Sequence, residues 1–233
     1  MIIPKVYLPK NSKATLDYAG LQGFPLYNNR ALLKSANREE IYNLLDWLDV
    51  EHSARYQPKN GATHCDCYAG DYCTCRDVYL PAGVFWNDTV LSNAENGIPF
   101  PNKAVLGSTA KRGTVRELNA NGVYDWLVDY GKYFGWHEIY SLTNLQELAN
   151  KNSVCVISAK NNNPKYSGHI VIVIPEWKER AAVAIRNKNE TVKYPVTSEA
   201  GGTCRKISIG DSWFYSCRFS VKYWCNDERI VND

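Results

Sequence analysis

The order of the hydrophobic patterns along the chain is the feature that most constrains its fold. Between residues 37 and 150, apolar side chains recur at the three- and four-residue spacing of amphipathic helices. Short runs rich in β-branched and aromatic residues follow after residue 153. Helices that precede the strands, instead of alternating with them, predict an α+β domain with a mainly antiparallel sheet.

Start signals and apolar spacing give the approximate bounds of these elements. The predicted helices are residues 37–51 with Asn37 as N-cap, residues 65–76 with Thr63 as cap, a helix opened by Asn119 or Asn121, and a helix that begins at Asn144. The predicted strands are residues 154–158, 169–174, 181–185, 192–198 and 219–224.

The 233 residues fit one domain with elaborations. Residues 1–34 contain Pro, Gly and Asn at several positions, which interrupts regular structure and predicts an irregular N-terminal extension. Residues 35–228 are predicted to form the domain itself. The segment 1–10 has no apolar core of a secretory signal, so we expect synthesis in the cytoplasm without a signal peptide.

Charge and hydropathy exclude two classes of partner. The chain has 27 basic and 24 acidic side chains, and the net charge of +3 is too small to predict nucleic-acid binding. The longest aliphatic run, residues 170–174, is far shorter than a membrane span, so we expect no membrane-spanning segment.

The eight cysteines lack the spacing of a small disulfide scaffold and are interpreted mostly as buried apolar side chains or free thiols. The paired spacings Cys65-x-Cys67 and Cys73-x-Cys75 suggest a structural zinc site as an alternative. In a helix, however, residues two apart differ by about 200° in direction, so the four sulfurs would not converge. We therefore expect no metal and no cofactor.

Catalysis is the other use of a cysteine at this position. A nucleophilic cysteine reacts as the thiolate, which a helix N-terminus stabilises, and Cys65 follows a loop at the start of a predicted helix. His169 is the best candidate for its base, because it opens the apolar strand 170–174 behind a turn-rich loop. On position alone, a structural role for His169 is as well supported as a catalytic one.

A family resemblance supports the catalytic interpretation. Residues 55–71, which read RYQPKNGATHCDCYAGD, resemble the nucleophile segment of CHAP and NlpC-like cell-wall hydrolases of phages and bacteria. Further segments resemble the same subgroup in the same order, namely 117–121, 126–127, 135–136, 146–150 and 167–175. Asp66 and Glu199 stand where that subgroup has Asn and Gln. The resemblance covers residues 40–227 and implies a papain-like fold.

The resemblance also implies roles for individual residues. Cys65 would be the nucleophile, His169 the general base and Glu199, in the segment 197–202, the residue that orients the imidazole. Asn187 remains an alternative for that third role, because residues 176–194 look like an insertion. The oxyanion hole would include the backbone N–H of Cys65. A side-chain donor from the preceding loop, Tyr56 or Asn60, would complete that hole and contact the substrate. Trp86, in the loop 84–88, is a candidate to line a substrate groove, although packing in the core is at least as well supported for it.

The implied function is hydrolysis of an amide bond in bacterial peptidoglycan through a thioester acyl-enzyme. We expect a monomer that acts on the wall after phage lysis or delivery by a secretion system. Three alternatives stay open: a structural zinc-binding module, a catalytically inactive wall-binding module on the same fold, and a papain-like acyltransferase.

Overall fold

The computed structural model describes residues 2–6, 33, 35–81, 83–107 and 113–227. Most of the predicted extension 1–34 lies outside these residues. The described part contains the helices α1 Arg38–Leu48, α2 Cys65–Cys75, α3 Asp88–Glu95, α4 Ala120–Tyr130 and α5 Leu142–Asn150. Short 3₁₀ turns cover Gly131–Phe134, Lys178–Arg180 and Trp213–Tyr215.

The four predicted helices form, with starts that agree except at two caps, whereas α3 was not predicted. Asn37 caps α1 in a capping box with Glu40, and Asn119 caps α4 by accepting a hydrogen bond from the backbone N–H of Gly122. Thr63 does not cap α2, because His64 occupies the N-cap position without a side-chain hydrogen bond. Helix α5 begins two residues before Asn144, since the cap is Ser141.

The strands are β1 Val84–Trp86, β2 Val115–Glu117, β3 Trp136–Ile139, β4 Val154–Asn161, β5 His169–Val173, β6 Ile185–Arg186, β7 Val192–Tyr194, β8 Thr197–Glu199, β9 Arg205–Ser208 and β10 Phe219–Asn226. Within the described residues, six of them form the main sheet in the order β3-β10-β4-β5-β8-β9. Every pair in that sheet is antiparallel, which confirms an α+β domain with a mainly antiparallel sheet.

Two strand predictions need correction. Residues 181–185 do not form a strand, because Ala181 follows a 3₁₀ turn with a left-handed backbone (φ 56°), and only Ile185–Arg186 are extended. The predicted strand 192–198 is interrupted, so that β7 pairs with β6 while β8 joins the main sheet beside β5.

The core lies between the helices and the central strands. Helix α2 packs against β5, and α4 packs against β4. All residues of α2 except Thr74 are buried, so this helix runs through the domain with only its ends near solvent. No helix in the described part of the chain is long and apolar enough to span a bilayer.

Candidate active site

Cys65 is the first residue of α2, the buried helix. It lines a groove at the helix N-terminus and is 3% exposed. The first N–H groups of a helix have no partner within the helix, and they create a positive potential there. A thiolate at Cys65 would be stabilised by that potential.

His169 reaches Cys65 because the strand that it opens packs directly against α2. The imidazole interacts electrostatically with Cys65, and its Nε2 forms a hydrogen bond with Glu199. Burial alone would lower the pKa of His169, but the charges and hydrogen bonds of Cys65 and Glu199 outweigh it and raise that pKa to about 10. The arrangement therefore favours a charged imidazolium beside the sulfur.

Glu199 lies at the end of β8, the strand next to β5. Its Oε2 is 2.8 Å from Nε2 of His169, which leaves Nδ1 as the ring nitrogen that can serve Cys65. Burial raises the pKa of Glu199, but the hydrogen bond and charge of His169, together with Asp211 and Arg205, bring it below its usual value. The carboxylate is therefore ionised and fixes the orientation of the ring.

Asn187, the alternative to Glu199, lies elsewhere. Its backbone N–H and its side-chain amide both donate to Thr191 in the turn between β6 and β7, at 2.8 and 3.0 Å. The structure thus brings Glu199, and not Asn187, to the His169 ring.

Glu199 also contacts groups that no sequence pattern predicted. Nη1 of Arg205 donates to Oε1 of Glu199 at 3.0 Å, and it also lies 3.2 Å from Oδ2 of Asp211. The indole of Trp213 packs edge-on against the His169 ring, with 4.9 Å between the ring centroids. Arg205, Asp211 and Trp213 follow β8 in the sequence. They lie close to Glu199 and His169 because β9 pairs with β8, and local sequence patterns do not specify that pairing.

The groove beside Cys65 has a volume of about 1020 Å³. Its lining comes from the start of α2, from β2 and α4 with the segment that joins them, from the loop before β5, and from one residue that precedes β2. The lining residues are Thr63, His64, Cys65, Asp66, Cys67, Leu106, Arg116, Glu117, Leu118, Asn119, Ala120, Gly122, Asp125 and Ser167. An open polar groove of this size can admit an extended polymer segment.

Gly168 sets the path of the chain into His169. A Cβ at this position would meet the carbonyl oxygen of Ala159 and the side-chain oxygen of Asn121. Only glycine allows this close approach to β4, which fixes where β5 and its first residue begin.

The structure places the suggested oxyanion-hole donors, Tyr56 and Asn60, away from the groove, and it favours the core position for Trp86. Tyr56 is fully buried, and its hydroxyl donates to Asp71 at 2.8 Å, so it faces the core. Trp86 is 4% exposed and donates from its indole to the carbonyl of Pro4 at 2.9 Å. Asn60 is exposed in a tight turn with φ 53°, and none of these three residues lines the groove.

The eight cysteines, all of which lie within the described residues, are free thiols. Seven are buried or partly buried, and Cys217 is exposed, in agreement with their interpretation as free or apolar side chains. The segment that holds both CxC pairs is helical, as the geometric argument against a shared zinc site assumed. In the described ranges, no group of three or more His, Cys, Asp or Glu side chains could hold a metal ion.

No protein-family model matches the chain, and no curated protein matches it either. The interpretation of the site therefore depends on its geometry and chemistry.

Proposed function

We propose that the chain is a papain-like cysteine hydrolase that cleaves an amide bond of bacterial peptidoglycan. The observation that carries the catalytic part is the His169 ring, which interacts both with Cys65, a residue that lines an open groove, and with the ionised Glu199. A nucleophile, a base and a third group that orients the base are the arrangement used for acyl transfer through a cysteine.

The proposed mechanism follows from these contacts. The Cys65 thiolate attacks the carbonyl carbon of the scissile amide, and backbone N–H groups at the start of α2 stabilise the oxyanion. His169 gives its proton to the leaving amine, which leaves a thioester on Cys65. Water, deprotonated by His169, then hydrolyses the thioester and restores the thiolate.

The papain-like fold is supported by the placement of the three residues. The cysteine begins a buried helix, while the histidine and the carboxylate come from neighbouring antiparallel strands packed on that helix. Peptidoglycan as substrate is supported by the resemblance of residues 55–71 and 167–175 to wall hydrolases. On this proposal the protein reaches its substrate after phage lysis or delivery by a secretion system.

Digestion of purified peptidoglycan tests the proposal. The wild-type protein should release muropeptide fragments whose masses show one type of amide bond cut, while Cys65→Ala should release none. If fragments carry an added amine when a primary amine is supplied, and no hydrolysis occurs with water alone, the acyltransferase alternative replaces hydrolysis. Fragment release that is equal in wild type and Cys65→Ala would refute cysteine catalysis.

A further inference from the structure

The ion-pair network behind Glu199 has a feature that the three catalytic residues do not explain. A second carboxylate, Asp211, shares a single guanidinium nitrogen with Glu199: Nη1 of Arg205 lies 3.0 Å from Oε1 of Glu199 and 3.2 Å from Oδ2 of Asp211. Ser208 donates a short hydrogen bond to the same oxygen of Asp211, which fixes that carboxylate in the network.

Two carboxylates so placed would compete for a proton in the absence of a cation. Two negative charges that contact the same guanidinium nitrogen raise the affinity of the carboxylate pair for a proton. If Glu199 took that proton, it could no longer stabilise an imidazolium. Burial, together with Glu199, raises the pKa of Asp211, whereas the pKa of Glu199 is lowered despite its burial. With Arg205 in place, the pKa of Asp211 is raised and that of Glu199 is lowered, so a falling pH favours protonation of Asp211 before Glu199.

The charged and titratable groups that face Glu199 come from each neighbouring element. They are His169 on β5, Arg205 on β9, Asp211 in the turn after β9, and Cys204 in the turn between β8 and β9. Cys65 on α2 acts on Glu199 through His169. Arg205 is the only permanent cation among these described groups.

We propose that Arg205 is a positioning residue of the catalytic site, which keeps Glu199 ionised and aligned with His169 by neutralising Asp211. This inference rests on the proposed function, in which Glu199 orients His169. Arg205 acts through Glu199 and does not line the groove. It should therefore affect kcat and the pH profile, and leave KM unchanged.

The test uses the rate at which iodoacetamide alkylates Cys65, measured across pH by peptide mass spectrometry, because exposed Cys217 also reacts. This rate depends on the fraction of Cys65 that is present as the thiolate, and its measurement needs no wall substrate. In Arg205→Met, the acid limb of the profile should move to higher pH by about one unit, since loss of the cation raises the pKa of Glu199. Arg205→Lys should retain most of the wild-type profile.

The decisive variant combines Arg205→Met with Asp211→Asn, which removes the competing charge and keeps an oxygen at position 211 that can accept the hydrogen bond of Ser208. In this double variant, the acid limb should return to within a few tenths of a pH unit of its wild-type position. A double variant no better than Arg205→Met would overturn the proposal, since a purely structural role for Arg205 would not be rescued at Asp211. An unshifted acid limb in Arg205→Met would overturn it as well.

Two further variants complete the design. Arg180→Met is the matched control, because Arg180 is similarly exposed (40% against 44%) and pairs with Asp46 outside the site; its profile should match wild type. If Arg205→Met does not fold, Asp211→Asn alone should leave the acid limb unchanged or lower it. A shift of the acid limb to higher pH in Asp211→Asn would contradict the proposal.

Failure of the proposed function gives a different result. In that case, alkylation of Cys65 in the wild-type protein would follow the same pH profile as in His169→Ala, which refutes the catalytic pair and the role of Arg205 together. A profile that depends on His169 but not on Arg205 refutes the positioning role alone.

Discussion

Replacing Glu199 by Gln should shift the alkaline limb of the pH–rate profile, because it removes the charge that stabilises the His169 imidazolium. The two side chains are 2.8 Å apart, and both are largely shielded from water. A hydrogen bond between charged groups contributes about 1.5–3 kcal/mol. Since 1.36 kcal/mol corresponds to one pKa unit, the pKa of His169 should fall by about 1–2 units.

The sign of the effect follows from the raised pKa of His169, which is about 10. The imidazolium is present below that pKa and is lost as the pH rises through it. In Glu199→Gln the ion pair with Cys65 should therefore break at about 1–2 units lower pH. The same free energy predicts a loss of roughly tenfold to a hundredfold in kcat/KM.

The assay is kcat/KM for release of soluble wall fragments across pH, combined with NMR titration of the His169 ring. Glu199→Ala should lose more activity than Glu199→Gln, since the ring loses its anchor as well as the charge. Glu176→Gln is a suitable control, because Glu176 is ion-paired with Arg186 and does not contact His169. An alkaline limb that stays in place in Glu199→Gln would refute the orienting role.

Three more predictions test the site and the structure that supports it. Iodoacetamide should stop wall hydrolysis by modifying Cys65, whereas EDTA should not; inhibition by EDTA that zinc reverses would favour the metal alternative. Asp71→Asn breaks a buried ion pair, in which Asp71 is 1% and Arg55 is 6% exposed. The variant should lower the free energy of unfolding in urea by about 3–5 kcal/mol, and a loss below about 1 kcal/mol would contradict this prediction. Gly168→Ala forces a side chain against the carbonyl of Ala159, so we expect a lower melting temperature and slower hydrolysis, and a variant equal to wild type in both would refute the close approach.

Local sequence signals predicted four of the five helices in the described part of the chain, all except α3, and the central strands. Each of these predicted elements has a start signal or an apolar period that depends only on neighbouring residues. Asn37 and Asn119 cap their helices, and the apolar run after His169 forms a central strand. The turn at Ala181 was missed because its left-handed backbone has no signature in an alanine-rich segment.

The inner part of the site was predictable and its surroundings were not. Cys65 and His169 stand at the start of regular elements, where position restricts what the side chain can do. For Tyr56 and Trp86, by contrast, the local sequence is equally compatible with a position in the core and a position in a groove. Only tertiary packing places both side chains in the core. Arg205 reaches Glu199 through pairing of β9 with β8, which local patterns do not specify.

Hydrolysis of purified peptidoglycan by Cys65→Ala and Cys67→Ala tests the central claim most directly. Both sulfurs are buried in the first turn of α2, and both residues line the groove, so the two variants are matched in position and in lost volume. Cys65→Ala should release no fragments while its melting temperature stays close to wild type, and Cys67→Ala should keep substantial activity. Turnover by Cys65→Ala, or equal loss in both variants, would contradict catalysis by Cys65.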